Sequence, residues 1–228
     1  MACTRRSTLD HPWPSRGSPH LPRLSHSRVR LRPQYWPSFV AGAIPPGTAE
    51  AEIAITNTVL ALIASTVATF AASSLLTNGK LRPVDIQNAT LAGGVAIGAV
   101  ADFKINPIGA LALGTAAGLV STLGYQFVQP FLERTIRLHD SCGIHNLHGM
   151  PALLGALASV ILPYCIDLTG IADPGIQAAA TVLTALVAVS SGAITGVVMR
   201  AAKRLEPAHG VAFTDDPYWD VADDLPKV

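Results

Sequence analysis

Between residues 53 and 199 the chain alternates long apolar runs with short polar breaks, and the length of each run limits what it can form. A bilayer core of about 30 Å needs about 20 apolar residues in a helix. Four runs free of Asp, Glu, Lys and Arg exceed that: 53–79, 105–132, 141–166 and 174–199. A fifth, 86–101, holds 16 residues between Asp85 and Asp102. It is short for a lone span but adequate when tilted, flanked by protein or extended to Val84. The breaks carry turn or helix-boundary chemistry, as Asn78-Gly79-Lys80, Arg82-Pro83, Asn106-Pro107 and Asp173-Pro174-Gly175. The pattern predicts an all-α, polytopic integral membrane bundle. About five transmembrane helices, at 53–78, 84–101, 105–132, 141–166 and 174–199, lie in a membrane domain over 34–204.

Composition agrees and narrows the function. Half of the 228 residues are apolar and 14% are charged, against about a quarter charged in a typical soluble domain. Of the 31 charged residues, 10 fall in 1–52, 11 in 53–199 and 10 in 200–228, which leaves the middle of the chain charge-poor. The net charge of +1 and the lack of a basic face interleaved with aromatics exclude nucleic acid as a partner. Cys3, Cys142 and Cys165 have no paired spacing, so neither a disulfide framework nor a zinc module is indicated.

Cytoplasmic loops carry the excess of Lys and Arg. Lys80 and Arg82, Arg134 and Arg137, and Arg200, Lys203 and Arg204 all fall on one side of a five-span bundle, and the opposite loops hold only Lys104. The C-terminus is therefore predicted to be cytoplasmic, with 205–228 a solvated acidic tail. Residues 1–33 carry seven arginines, five prolines and three histidines, and no apolar run long enough for a signal peptide or a span. This segment is predicted to be disordered. With five spans it falls outside, against its positive charge, so the expectation is either a segment translocated against the bias or the absence of spans that once preceded Pro33.

Gly94-x-x-x-Gly98, Gly114-x-x-x-Gly118 and Gly192-x-x-x-Gly196 set small residues on one helix face, the pattern of close packing between membrane helices.

Chemistry concentrates in residues 139–151, from His139 to Pro151. Asp140 is expected to cap the following helix by accepting backbone N–H groups. At α-helical spacing His145 and His148 share neighbouring parts of one face. An imidazole in a hydrocarbon span is costly unless it faces a cavity or a partner. Three readings compete: a metal site from His139, Cys142, His145 and His148, which has the residue types but no recognised spacing; histidines bonding between helices; or a pore-lining histidine that receives a small polar solute. The residue chemistry leaves the last two open. No Ser/His/Asp set, phosphate loop or paired intramembrane carboxylates supports an enzyme, since Asp85, Asp102 and Asp140 all stand at span ends. No cofactor or metal is called for.

The stretch from Asp140 to Pro151, Asp-Ser-Cys-Gly-Ile-His-Asn-Leu-His-Gly-Met-Pro, resembles the Rh (Rhesus-type) branch of the ammonium transporter family, as does Asp85-Ile-Gln-Asn-Ala-Thr-Leu-Ala-Gly-Gly94. Tyr35-Trp-Pro-Ser-Phe39, Ser121-Thr-Leu-Gly124 and Tyr218-Trp219 extend the similarity over roughly 34–222. The resemblance implies a homotrimeric channel in the lipid bilayer, with two inverted halves around an apolar pore that carries ammonium or ammonia. Two facing histidines line that pore, and Asn-Leu-His-Gly places the second-half histidine at His148. His145 does not match that role. Asp140, His145 and Asn146 remain as polar residues at the helix entry. In the family, ammonium gives up its proton and the imidazoles hydrogen-bond the ammonia, which suits a neutral ring with one donor and one acceptor.

The five spans correspond to the second half of that fold. The partner histidine and the aromatic residues of the outer constriction are expected to lie outside the resembling stretch. The expected function is ammonium/ammonia transport, impaired in this chain on its own because only the C-terminal half is represented. The alternative is a truncated, non-conducting membrane subunit that packs with a full-length Rh-type protomer.

Overall fold

The computed structural model describes residues 35–138, 140, 142–166 and 173–201. The expected arginine-rich segment 1–33, His139 and the acidic tail 205–228 lie outside the described residues. Regular structure among the described residues is helical, starting with a short helix over 35–40 that runs into a 3-10 turn, Ala41–Ala43.

Helix α1, Ala49–Leu76, starts earlier than the charge-free run because its first turn holds Glu50 and Glu52. Carboxylates are favoured there by the exposed N–H groups of the helix start. Thr48 caps the same end, accepting from Ala51 N–H at 3.3 Å. At the other end Asn78 and Gly79 both take positive φ, and Gly79 N–H returns to Ser74 O at 2.9 Å, closing the helix with a left-handed turn.

The weakest of the expected spans is the least regular. It forms α2 (Pro83–Asn88), a 3-10 turn (Ala89–Leu91) and α3 (Ala92–Ile97) in succession, and turns continue to residue 103. Ser65 of α1 stands at the break. Its hydroxyl donates to Ala89 O at 2.9 Å and accepts from Gly93 N–H at 3.1 Å. These are the two backbone groups that an α-helix would pair directly. A side chain inserted into the ladder in this way is a recognised cause of a helix break.

Helix α4, Pro107–Leu123, is opened by Asn106, whose carboxamide oxygen accepts from Gly109 N–H at 2.8 Å. It continues through a π turn, Gly124–Val128, into α5, Gln129–Ile136. A second π turn, His145–Gly149, leads into α6, Met150–Cys165. Helix α7, Pro174–Ala201, starts where Asp173 accepts from Ile176 N–H at 2.9 Å. The described residues up to 179 form one compact unit, and those from 180 to 201 belong to a second.

Four helices among the described residues, Ala49–Leu76, Pro107–Ile136, His145–Cys165 and Pro174–Ala201, are long and apolar enough to cross a membrane. Helix α1 shows what sets their packing. It buries Ala54, Asn57, Thr58, Ala61, Ser65 and Thr69, and exposes Ile55, Val59, Ile63 and Val67. Small and polar residues inside with large apolar ones outside is the reverse of a soluble bundle, and it suits a lipid surround, where apolar side chains gain nothing by burial. The glycines act within this packing. A Cβ on Gly114 would overlap Ala61 O, and one on Gly118 would stand 2.6 Å from Ser65 O, so α4 lies directly on the backbone of α1. Gly155 of α6 approaches Ala96 O of α3 in the same way.

Candidate functional site

The second π turn carries the residues singled out in the sequence. Both carboxylate oxygens of Asp140 are engaged by its start, Oδ1 by Ile144 N–H at 2.9 Å and Oδ2 by His145 N–H at 2.8 Å. The carboxylate thus satisfies two of the free N–H groups at a helix start, as its position ahead of the helix suggested. The turn closes when Met150 N–H donates to His145 O, five residues back. This wider turn changes the expected relation of the two histidines. Residues three apart are rotated further from one another than in an α-helix, so His145 and His148 do not share one α-helical face. His145 is half-buried beside Asp140, whereas His148 is exposed on the bundle.

The neighbours of His148 are aromatic. Trp36 stacks on it with ring centroids 6.4 Å apart and planes at 16°, and Phe39 meets Trp36 edge-on, also at 6.4 Å. Trp36 is seated against Leu62, Leu91 and Leu147. Gly94 leaves room for it, since a Cβ there would come within 2.6 Å of the indole Nε1. The sequence offered Tyr35–Phe39 only as part of a resemblance. Nothing in its spacing foretold that aromatic residues so far ahead of His148 in the chain would reach the histidine.

Asn146 is wholly buried. Its Nδ2 donates to Gln129 Oε1 at 2.8 Å, and Gln129 Nε2 donates to the Asp140 carbonyl at 2.8 Å. Asn146 Oδ1 has no hydrogen-bond partner among the described residues. Tyr125, in the first π turn, donates its hydroxyl to Gly143 O at 2.9 Å. Gly143 takes φ +67°, and a side chain there would strike the Tyr125 ring. Gln129, Asp140, His145 and Asn146 line a shallow depression with Leu132 and Leu138.

Asp85 stands in the first turn of α2, at a span end as the sequence places it, and has no exposed surface, whereas Asp102 is exposed. Asp85 Oδ2 accepts from Ser73 Oγ at 2.8 Å and from Gln126 Nε2 at 3.3 Å, and Oδ1 has no partner among the described residues. Pro83 opens α2, and the Ser73 hydroxyl that donates to this carboxylate also accepts Arg82 N–H at 3.1 Å. For the metal reading, His139 lies outside the described residues, and among the described residues no three His, Cys, Asp or Glu come together as ligands.

Four membrane-length helices, three of which bury their small residues, and a histidine exposed beside a stacked tryptophan define a polytopic helical membrane protein. A sequence model of the Ammonium Transporter Family matches residues 34–170. Ammonium transporter Rh type C of Gasterosteus aculeatus is 39% identical over 212 residues, covering 83% of this chain and 43% of that protein. Ammonium transporter Rh type A of Canis lupus familiaris is 44% identical over 188 residues, covering 82% and 45%. The solved structure of Nitrosomonas europaea Rh50, of the Rhesus protein family of channels, superposes with a TM-score of 0.68 at 36% identity, over 76% of this chain and 43% of that one. The chain belongs to the ammonium transporter family and is an integral membrane protein whose relatives are of Rh type. It spans less than half the length of the curated relatives it matches.

Proposed function

We propose that this chain supplies one wall of an ammonium/ammonia pore, with His148 as the pore-lining residue and the C-terminus on the cytoplasmic side. One observation carries the reading: His148 is exposed at the head of a membrane-length helix, with Trp36 against one ring face. An exposed imidazole at that place is costly against hydrocarbon and is accommodated where it faces a cavity that admits a polar solute. A neutral imidazole can donate to or accept from ammonia, while the surrounding apolar wall disfavours the charged ammonium ion. Asp140, His145 and Asn146 shape the helix entry beneath it.

In this reading the facing wall is contributed by sequence of the kind found in the other half of the relatives, the complete assembly is a trimer, and these 228 residues conduct weakly on their own. The test is ammonia flux into proteoliposomes, read by an internal pH dye, with the chain alone and with the chain co-reconstituted with the complementary half of an Rh relative. Flux is expected to rise on co-reconstitution and to fall by about tenfold or more with His148→Ala, the loss of one to two hydrogen bonds to the solute. Unchanged flux in that variant would remove His148 from the pore. Co-purification with a full-length protomer without any gain in flux would favour the packing-subunit reading.

A further inference from the structure

The two π turns face each other, and Gln129 belongs to both. Its backbone N–H closes the first turn on Gly124 O, five residues back. Its side chain reaches across to the second turn, accepting from Asn146 Nδ2 and donating to the carbonyl of Asp140, whose carboxylate caps that turn. Both polar ends of the carboxamide are therefore committed. Gly124 allows the approach, since a Cβ there would stand 2.8 Å from Asn146 Oδ1 and 3.0 Å from Met150 Sδ.

A π turn holds one residue more than an α turn, and relaxing it to α would rotate everything before it by about 100° relative to everything after it. Asn146 and His148 lie in the same turn, so whatever fixes Asn146 fixes the direction of the imidazole. Asn146 has no exposed surface, so breaking its bond would leave a buried amide short of another partner, which makes the pairing hard to give up.

We propose that Gln129 is a positioning residue for His148: by clamping Asn146 it holds the second π turn in register and keeps the imidazole on Trp36. The functional weight of this placement rests on the pore reading above, but the clamp itself is read without transport. Gln126, one turn earlier, makes an unrelated bond to Asp85 and provides the comparison.

The experiment uses the full chain in nanodiscs, with labelled histidine, and tracks the ring proton resonances of His148, assigned by His148→Ala. Stacking on Trp36 displaces them from the random-coil position. Gln129→Met, similar in volume but unable to hydrogen-bond, is expected to abolish that displacement, and Gln126→Met to leave it in place. Should Gln129→Met fail to fold, Asn146→Leu cuts the same bond from the other side and is expected to give the same loss. Retention of the displacement in a folded Gln129→Met or Asn146→Leu chain overturns the proposal, and so does an equal loss in Gln126→Met. Loss confined to the first two variants, with flux indifferent to His148→Ala, would support the clamp and reject the pore role.

Discussion

Residues 83–97 and the paired turns 124–128 and 145–149 both depart from regular α-helix, by different means. In the first, the helix is cut and a neighbour's hydroxyl seals the cut: Ser65 bridges Ala89 O and Gly93 N–H. In the second, the helices stay continuous and widen, with Gly124–Val128 and His145–Gly149 each taking an extra residue into one turn. The cut is surrounded by α1 and α4, and a Cβ on Gly93 within it would fall on Ala61 O. The first widened turn lies within the span Pro107–Ile136 and the second at the start of His145–Cys165; Gln129 and Asn146 bond between them, and the second carries the exposed histidine. The difference separates a departure that serves packing from one that aims a side chain, and π turns of the second kind recur at functional sites.

Substitutions should break the two regions differently. The largest effect is expected at Gly93, where a Cβ would fall on Ala61 O and within 2.7 Å of Ser65 Cβ. Gly93→Val should cost about 3 kcal/mol, the upper end for overpacking a core, measured by SDS titration of the detergent-solubilised chain. Next is Ser65→Ala, which leaves Ala89 O and Gly93 N–H without their bridge. It should cost about 2 kcal/mol by the same titration while the His148 ring resonances stay where they are. The smallest change in stability is expected for Tyr125→Phe, which removes only the bond to Gly143 O. Its cost should be about 1 kcal/mol, yet it should shift the His148 resonances. If Ser65→Ala moves the histidine, or Tyr125→Phe leaves it unmoved, the division between packing and aiming fails.

Signals that act within a few residues can be read from the sequence. Asn106 ahead of Pro107, Asp173 ahead of Pro174 and the Asn78-Gly79 turn mark helix boundaries through their own backbone and side-chain chemistry, and the helices begin or end beside them. A charge-free criterion sets the start of α1 too late because it discards Glu50 and Glu52, which a helix start favours. Contacts from distant residues leave no local mark. The cut in 83–97 depends on Ser65, and the burial of Asp85 on Ser73 and Gln126. The π turns are hidden for another reason: one extra residue in a turn changes no composition and only shifts the phase of the residues beyond it. Asp140 can be recognised as a cap from its place ahead of the helix, while Gln129 and Trp36, which bear on the same turn from elsewhere, cannot.

The bridge at Ser65 also bears on how far this fold can be taken apart. Residues 83–97 do not contain the hydroxyl that keeps them bent; it lies in α1, 24 positions before Ala89. Moved into another bundle with no hydroxyl at the matching height, the segment would be free to pair Ala89 O with Gly93 N–H directly and straighten. Its bend is a property of the pair of helices and is inherited only when both are, so a chimaera that exchanges this span must carry α1 with it.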